Sequence, residues 1–242
     1  MGKFQNSDLE IVEKTIKERH FEIAGIVTEP IMANFGLIMP QKGYLEGLRE
    51  ITKKYGVLLI FDEVITGFRI KLGGAQEYFG VTPDLSTFGK AVGGGVPLAG
   101  YGGRSDIMEL VSQKKCVEGG TYNTNSLAVA AGLVTLSELE KKGTYERLTN
   151  LGKRLMTGMR EMAERYTIPL EVQGPGPMFG IRFATKNAVD ARTALESHYP
   201  GIYPGFRRLL LEGGIHIFPT EKGEITKITP KLGAHFHLIF NQ

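Results

Sequence analysis

Hydrophobic positions recur along the chain with two periods, one helical and one extended, and their alternation outlines the fold. Leu9, Val12 and Ile16 lie at helical spacing behind Ser7 and Asp8, either of which can cap, so a helix is predicted to run through Arg19. The stretch IAGIVTEP then reads as a strand halted by Pro30. A helix over about 41–55 buries Tyr44, Leu45, Leu48 and Ile51 and gives way at Gly56 to VLLIFDE. That apolar run stops on Asp62 and Glu63, as a buried parallel strand with two acids at its carboxyl end would. DLSTFGK is a shorter strand ending on Lys90, after which Gly93, Gly94 and Gly95 permit a tight reversal into VPLAGYGG. Strand, helix, strand in this order implies a right-handed crossover.

Further along, helices are predicted over about 104–113, from Asn125 or Ser126 to Leu139, and over about 145–166. LEVQGPGPMFGIRFA suggests two strands about a Gly and Pro hinge, followed by helices near 189–197 and 206–212 and a short strand, GIHIF, from Gly214. The fold class expected is α/β: a larger, mostly parallel-sheet unit over residues 1–143 and a smaller α+β unit over 144–242 that includes the linking helix. The strands near Ile23 and Leu98 are expected to lie at the sheet edges without neighbours, and such edges invite pairing with another chain. A homo-oligomer is therefore expected.

Composition narrows the class. The 242 residues are 42% hydrophobic, enough for a sizeable core, and the net charge of +3 is spread among interspersed acids and bases. No nucleic-acid partner is expected. Cys116 is the only cysteine, which excludes an internal disulfide and suits a reducing cytosol. No apolar run approaches the roughly 20 residues that cross a bilayer, so no membrane partner is expected and a cytoplasmic location is. His235 and His237 alternate like strand residues, and no metal site is expected.

The chemistry rests on Asp62 and Lys90. In an open α/β sheet ligands sit at the carboxyl ends of the strands, and both residues are predicted there. A neutral lysine amine attacks carbonyls to form an imine, while an acid on the neighbouring strand suits holding a pyridine nitrogen protonated, which makes the ring an electron sink. Taken alone, the pair has plainer uses: Asp62 and Glu63 can cap the next turn, and Lys90 can be a solvated loop residue. Glu29, at the end of the first strand, is equally a supporting acid or a turn-side carboxylate. Gln76 and Tyr78, in GGAQEYFG, are expected to pack.

Four stretches carry a longer likeness: EIAGIVTEPIMANFG, GYLEGLREITKKYGVLLIFDEVITGFR, GGAQEYFGVTPDLSTFGKAVGGGVPLAGYGGRSDIME and GGTYNTNSLAVAAG. Together they span most of residues 22–132, and they resemble the class III aminotransferases of the fold type I pyridoxal phosphate enzymes, most of all the glutamate-1-semialdehyde aminomutase group. The resemblance implies pyridoxal 5'-phosphate as cofactor, Lys90 as its Schiff-base lysine and Asp62 as the partner of its ring nitrogen. It further implies Val64 packed on the ring, Asn34 near the ring hydroxyl, and Thr121 reaching the cofactor phosphate across a dimer interface. The activity implied is amino-group transfer between a small-molecule amino donor and a carbonyl acceptor. A racemase of the same family and a cofactor holder without turnover are alternatives.

Two departures from the family pattern qualify these expectations. The segment that precedes the equivalent of Phe4 in the family, with the phosphate cup and the ring-stacking aromatic residue, has no counterpart here, and neither does the final acidic helix, where this chain reads FHLIFNQ. Charge-assisted hydrogen bonds are worth about 1.5–3 kcal/mol each, so a cofactor that exchanges easily is expected.

Overall fold

The computed structural model describes residues 8–199, 201–215 and 237–240. Its main sheet contains β1 (Ile23–Thr28), β2 (Leu58–Glu63), β3 (Leu85–Phe88), β4 (Gly100–Gly103) and a C-terminal strand, β7 (His237–Phe240), in the order β4-β3-β2-β1-β7. β1, β2 and β3 are parallel, while β4 and β7 run antiparallel to their neighbours. β5 (Leu170–Gln173) and β6 (Gly180–Phe183) form a separate antiparallel pair.

One edge of the sheet differs from the sequence expectation. β1 does not lack a neighbour, because β7 pairs along it with Ile26 opposite Leu238 and Val27 opposite His237. An unpaired strand edge accepts any extended segment with free amides and carbonyls, and HLIF from this same chain takes the place assigned to another molecule. Among the described residues the edges of the sheet are therefore β4 and β7. Of the predicted strand at GIHIF only Gly214 and Ile215 are described, and they lie in a turn, the Ile215 amide donating to the Leu210 carbonyl at 2.8 Å; the alternative cap Ser7 and His235 lie outside the described residues.

The sheet has a closed face and a half-open face. Successive side chains of a strand point to opposite sides. Along β2, Leu59, Phe61 and Glu63 are buried, whereas Leu58, Ile60 and Asp62 are only partly so. The closed face meets α1 (Leu9–Arg19) and α2 (Tyr44–Tyr55), where Val12, Ile16, Tyr44, Leu45, Leu48 and Ile51 pack on Ile23, Ile26, Leu59 and Phe61. Each such side chain contributes about 1.5–3 kcal/mol through burial. Asp8 caps α1 by accepting from the Ile11 amide at 3.2 Å. α2 starts later than residue 41 because Gly43 turns the chain in the left-handed region (φ 84°), and it ends on left-handed Gly56.

Asp84 fixes the start of β3 to β2. Its buried carboxylate accepts from the Leu59 amide at 2.8 Å and forms ion pairs with Arg49 at 2.9 Å and Arg104 at 3.0 Å. Burial works to raise its pKa, but the Leu59 amide and the two guanidinium groups outweigh that and hold it below the usual carboxylate value.

Beyond β3, α4 (Ser105–Ser112) and α5 (Ser126–Leu139) follow, the latter capped by Asn125 through the Ala128 amide at 3.1 Å. α6 (Thr144–Arg165) packs on β5, and Tyr145 donates from its hydroxyl to the Phe68 carbonyl at 2.9 Å. In the β5–β6 pair Glu171 stands opposite Arg182, and the two form a buried ion pair. The same guanidinium donates to the Ala194 carbonyl and Ser197 hydroxyl of α7 (Ala191–Ser197), tying that helix to the hairpin. α8 (Ile202–Glu212) begins before the predicted 206, with Pro204 tolerated in the first turn, where a missing amide costs little.

Candidate active site

Parallel pairing puts the carboxyl ends of β1, β2 and β3 along one edge. Asp62 lies opposite Thr87 there, and both project toward the half-open face. Asp62 Oδ1 accepts from the Val64 amide at 3.1 Å and from the Thr87 hydroxyl at 3.3 Å. Among the described residues no hydrogen bond reaches Oδ2. The carboxylate is thus fixed by one oxygen and keeps the other for a ligand.

Lys90 stands three positions beyond Thr87, at the start of a short 3-10 turn (Lys90–Gly93). It is exposed, and its amine forms no ion pair or hydrogen bond among the described residues. Its backbone φ of 47° lies in the left-handed region, a conformation that costs a non-glycine residue about 1–3 kcal/mol. Surrounding packing holds it there. Val92 and Gly93 are buried, and α5 lies against the turn: a Cβ added at Gly132 would fall 3.4 Å from the Val92 carbonyl oxygen.

Val64 closes the gap between the two strand tips. Its Cγ1 lies 3.4 Å from the point where a Cβ on Gly89 would sit, so the residue after Glu63 lies beside the residue before Lys90 with room between them for no more than a methyl group. Asn34 is exposed on a 3-10 turn (Ala33–Phe35) beyond the carboxyl end of β1. Glu29 braces this turn by accepting from the Ala33 amide at 3.2 Å, the turn-side role of its two alternatives. Thr121 is exposed in the turn before α5. Asp62 and Val64 therefore stand at the end of β2 and Lys90 just beyond the end of the adjacent β3, whereas no hydrogen bond joins Asn34 or Thr121 to them among the described residues.

Glu63 was not singled out as a functional residue by the sequence, yet it is the most buried acid of the region, with no exposed surface. It accepts from the Thr66 hydroxyl at 2.9 Å, the Ala75 amide at 2.5 Å and the Gln76 amide at 3.3 Å. Gln76 Nε2 donates both to Glu63 Oε1 at 3.1 Å and to Ser86 Oγ at 3.2 Å, which gives Gln76 the packing role expected of it. Tyr78 meets Phe79 edge to face at 4.9 Å. Strand alternation could have flagged Glu63: of two adjacent acids at a strand tip, only one can face the crevice.

The family profile for aminotransferase class-III matches residues 2–237. The chain belongs to the class III aminotransferase family. It is 44% identical over 216 residues to glutamate-1-semialdehyde 2,1-aminomutase 2 of Brevibacillus brevis, covering 89% of this chain and 50% of that protein. Among solved structures it resembles an omega-transaminase from Sphaerobacter thermophilus (TM-score 0.79, 32% identity, 87% of this chain and 49% of the other). A glutamate-1-semialdehyde aminomutase from Pseudomonas aeruginosa PAO1 is similarly close (TM-score 0.80, 27% identity, 89% and 49%). The chain spans about half the length of these class III relatives. Its α/β architecture, with a mostly parallel sheet and a smaller α+β portion, is that of the fold type I enzymes.

Proposed function

We propose that the chain carries the cofactor-bearing strand tips of a pyridoxal 5'-phosphate-dependent aminotransferase or aminomutase, acting on a small-molecule amino donor and a carbonyl acceptor. The observation that supports this reading is the parallel pairing of β2 with β3, which sets the strand ends that lead into Val64 and Lys90 side by side, with Asp62 opposite Thr87. The residues fit the group. Asp62 Oδ2 is unbonded among the described residues and suits a protonated ring nitrogen, the aliphatic face of Val64 suits an aromatic ring, and the Lys90 amine is unencumbered. Pyridoxal phosphate, when bound, supplies a carbonyl for amino-group exchange and a ring that accepts electrons.

The chain's own residues then divide the work. Lys90 offers its amine as the cofactor's attachment point and, once released, as the base that moves a proton at the substrate carbon. Asp62, held by Val64 and Thr87, keeps the ring-nitrogen proton in place; opposite charges about 4 Å apart attract by roughly 4 kcal/mol at an effective dielectric of 20. Asn34 is assigned to the ring hydroxyl and Thr121, from a second copy of the chain, to the phosphate. Residues 1–143 are read as the cofactor unit and 144–242 as the smaller unit, a division supported by left-handed Gly143 immediately before α6 and by the packing of α6 on β5.

A second reading, a cofactor holder without turnover, is favoured by the exposure of Lys90, Asn34 and Thr121, since a site open to water loses much of its electrostatic leverage. The two part on one experiment. Purified protein is mixed with pyridoxal phosphate, the visible band is recorded, and amino donors are titrated. Loss of the band with release of pyridoxamine phosphate supports the transferase, and a band that persists supports the holder. A Lys90→Ala protein that kept the band would remove Lys90 from both.

A further inference from the structure

Glu63, Gln76 and Ser86 form a bracket behind the candidate site. Alternation places Glu63 and Ser86 on the face of the sheet opposite Asp62 and Thr87. Glu63 follows Asp62 on β2, Ser86 precedes Thr87 on β3, and Gln76 of α3 (Gly74–Phe79) bonds to both. The bracket therefore spans the same two strands that carry the crevice. It also closes the intervening loop: Thr66 and the Ala75 and Gln76 amides all converge on one carboxylate, so residues 64–75 begin and end on Glu63. Val64 is the first residue of that loop and the one that lies beside Gly89.

Every donor to Glu63 is neutral. An ion pair would hold this carboxylate with less directional demand, but amides and hydroxyls hold it only at hydrogen-bonding angles, which makes the bracket a geometric constraint as well as a source of stability. Space confirms the fit on the far side. A Cβ added at Gly74, whose φ is +68°, would lie 2.3 Å from Glu63 Oε2, so the loop closes onto the carboxylate with no room for a side chain.

We propose that Glu63 and Gln76 are positioning residues for the crevice: acting through Val64 and the β2–β3 spacing, they set the separation of Asp62 from Lys90. This rests on the assignment of that crevice to pyridoxal phosphate. The residues never touch the cofactor; they act from the opposite face.

The test compares four proteins: wild type, Gln76→Leu, Ser86→Ala and a core control, Ile51→Val, which lies in α2 away from the loop. Each is followed by thermal unfolding, by the dissociation constant and pH midpoint of the pyridoxal phosphate visible band, and by amide hydrogen exchange of residues 64–67 without cofactor. Gln76→Leu is expected to weaken cofactor binding about tenfold and to move the pH midpoint, because small misplacements of a positioned group carry effects of that order. Ser86→Ala, which leaves Glu63 fully bonded, is expected to do the same to a lesser degree, and Ile51→Val to lower the unfolding temperature while leaving the midpoint in place. Exchange at 64–67 should rise in Gln76→Leu alone. If Gln76→Leu keeps the wild-type midpoint and exchange, or if every variant loses cofactor only in step with its unfolding temperature, the bracket has no positioning role. A wild-type protein without a Lys90-dependent band would overturn the cofactor assignment instead, and the exchange measurement would still decide whether the bracket orders the loop.

Discussion

The front and back of one pair of strand tips are built on opposite terms. In front, Lys90 is exposed, unbonded among the described residues and held at an unfavourable backbone angle, and Asp62 uses a single oxygen. Behind, Glu63 is fully buried and takes four hydrogen bonds. The difference teaches that order is concentrated where no ligand goes, so that the ligand-facing groups can stay open without being loose. Free partners in front matter only if their separation is fixed from behind.

The comparison can be broken most forcefully at Glu63. Glu63→Ala leaves the Thr66, Ala75 and Gln76 donors buried without an acceptor, at about 1–3 kcal/mol each, so a loss of roughly 3–5 kcal/mol in urea unfolding is expected. Gly74→Ala comes next. It imposes a side chain at a positive φ against Glu63, and should cost about 1–3 kcal/mol with the site residues untouched.

Acid tests a part of the frame lying toward the other end of β3. The pKa of Asp84 is lowered in the folded protein from its ordinary 3.8, so its stabilising contribution is complete above that value and is lost as pH falls through the lower folded one. Stability of the wild type should therefore drop steeply below about pH 4, and Asp84→Asn should be less stable at neutral pH with a shallower acid limb, as read by denaturant midpoints across pH. The smallest effect belongs to the front. Lys90→Ala removes an exposed side chain without a described partner and should change stability by no more than about 0.5 kcal/mol, while abolishing any cofactor attachment. A large stability loss in Lys90→Ala would erase the contrast between the two faces.

Much of this arrangement was legible in the chain. The helical spacing of Leu9, Val12 and Ile16 and the apolar run into Asp62 fixed their elements because local pattern and burial agree there. The joining of Asp62 to Lys90's strand followed from parallel topology. What stayed hidden depends on distant partners. β7 lies beside β1 although some two hundred residues separate them in sequence, and nothing in HLIF names its neighbour. The Glu171–Arg182 pair is set by the register of a hairpin whose 174–179 turn is too long and glycine-rich to dictate it. Glu63 was read only as a cap for the next turn, and its full burial stayed hidden for another reason: a buried acid satisfied by amides and a hydroxyl leaves no complementary charge in the sequence to mark it.

The account stands most directly on where pyridoxal phosphate attaches. Protein incubated with the cofactor, reduced with borohydride, digested and mapped by mass spectrometry should carry the pyridoxyl group on Lys90, in a yield that Asp62→Ala lowers. A label spread over surface lysines such as Lys114, Lys115 and Lys141, with Lys90 no more reactive than they are, would contradict it.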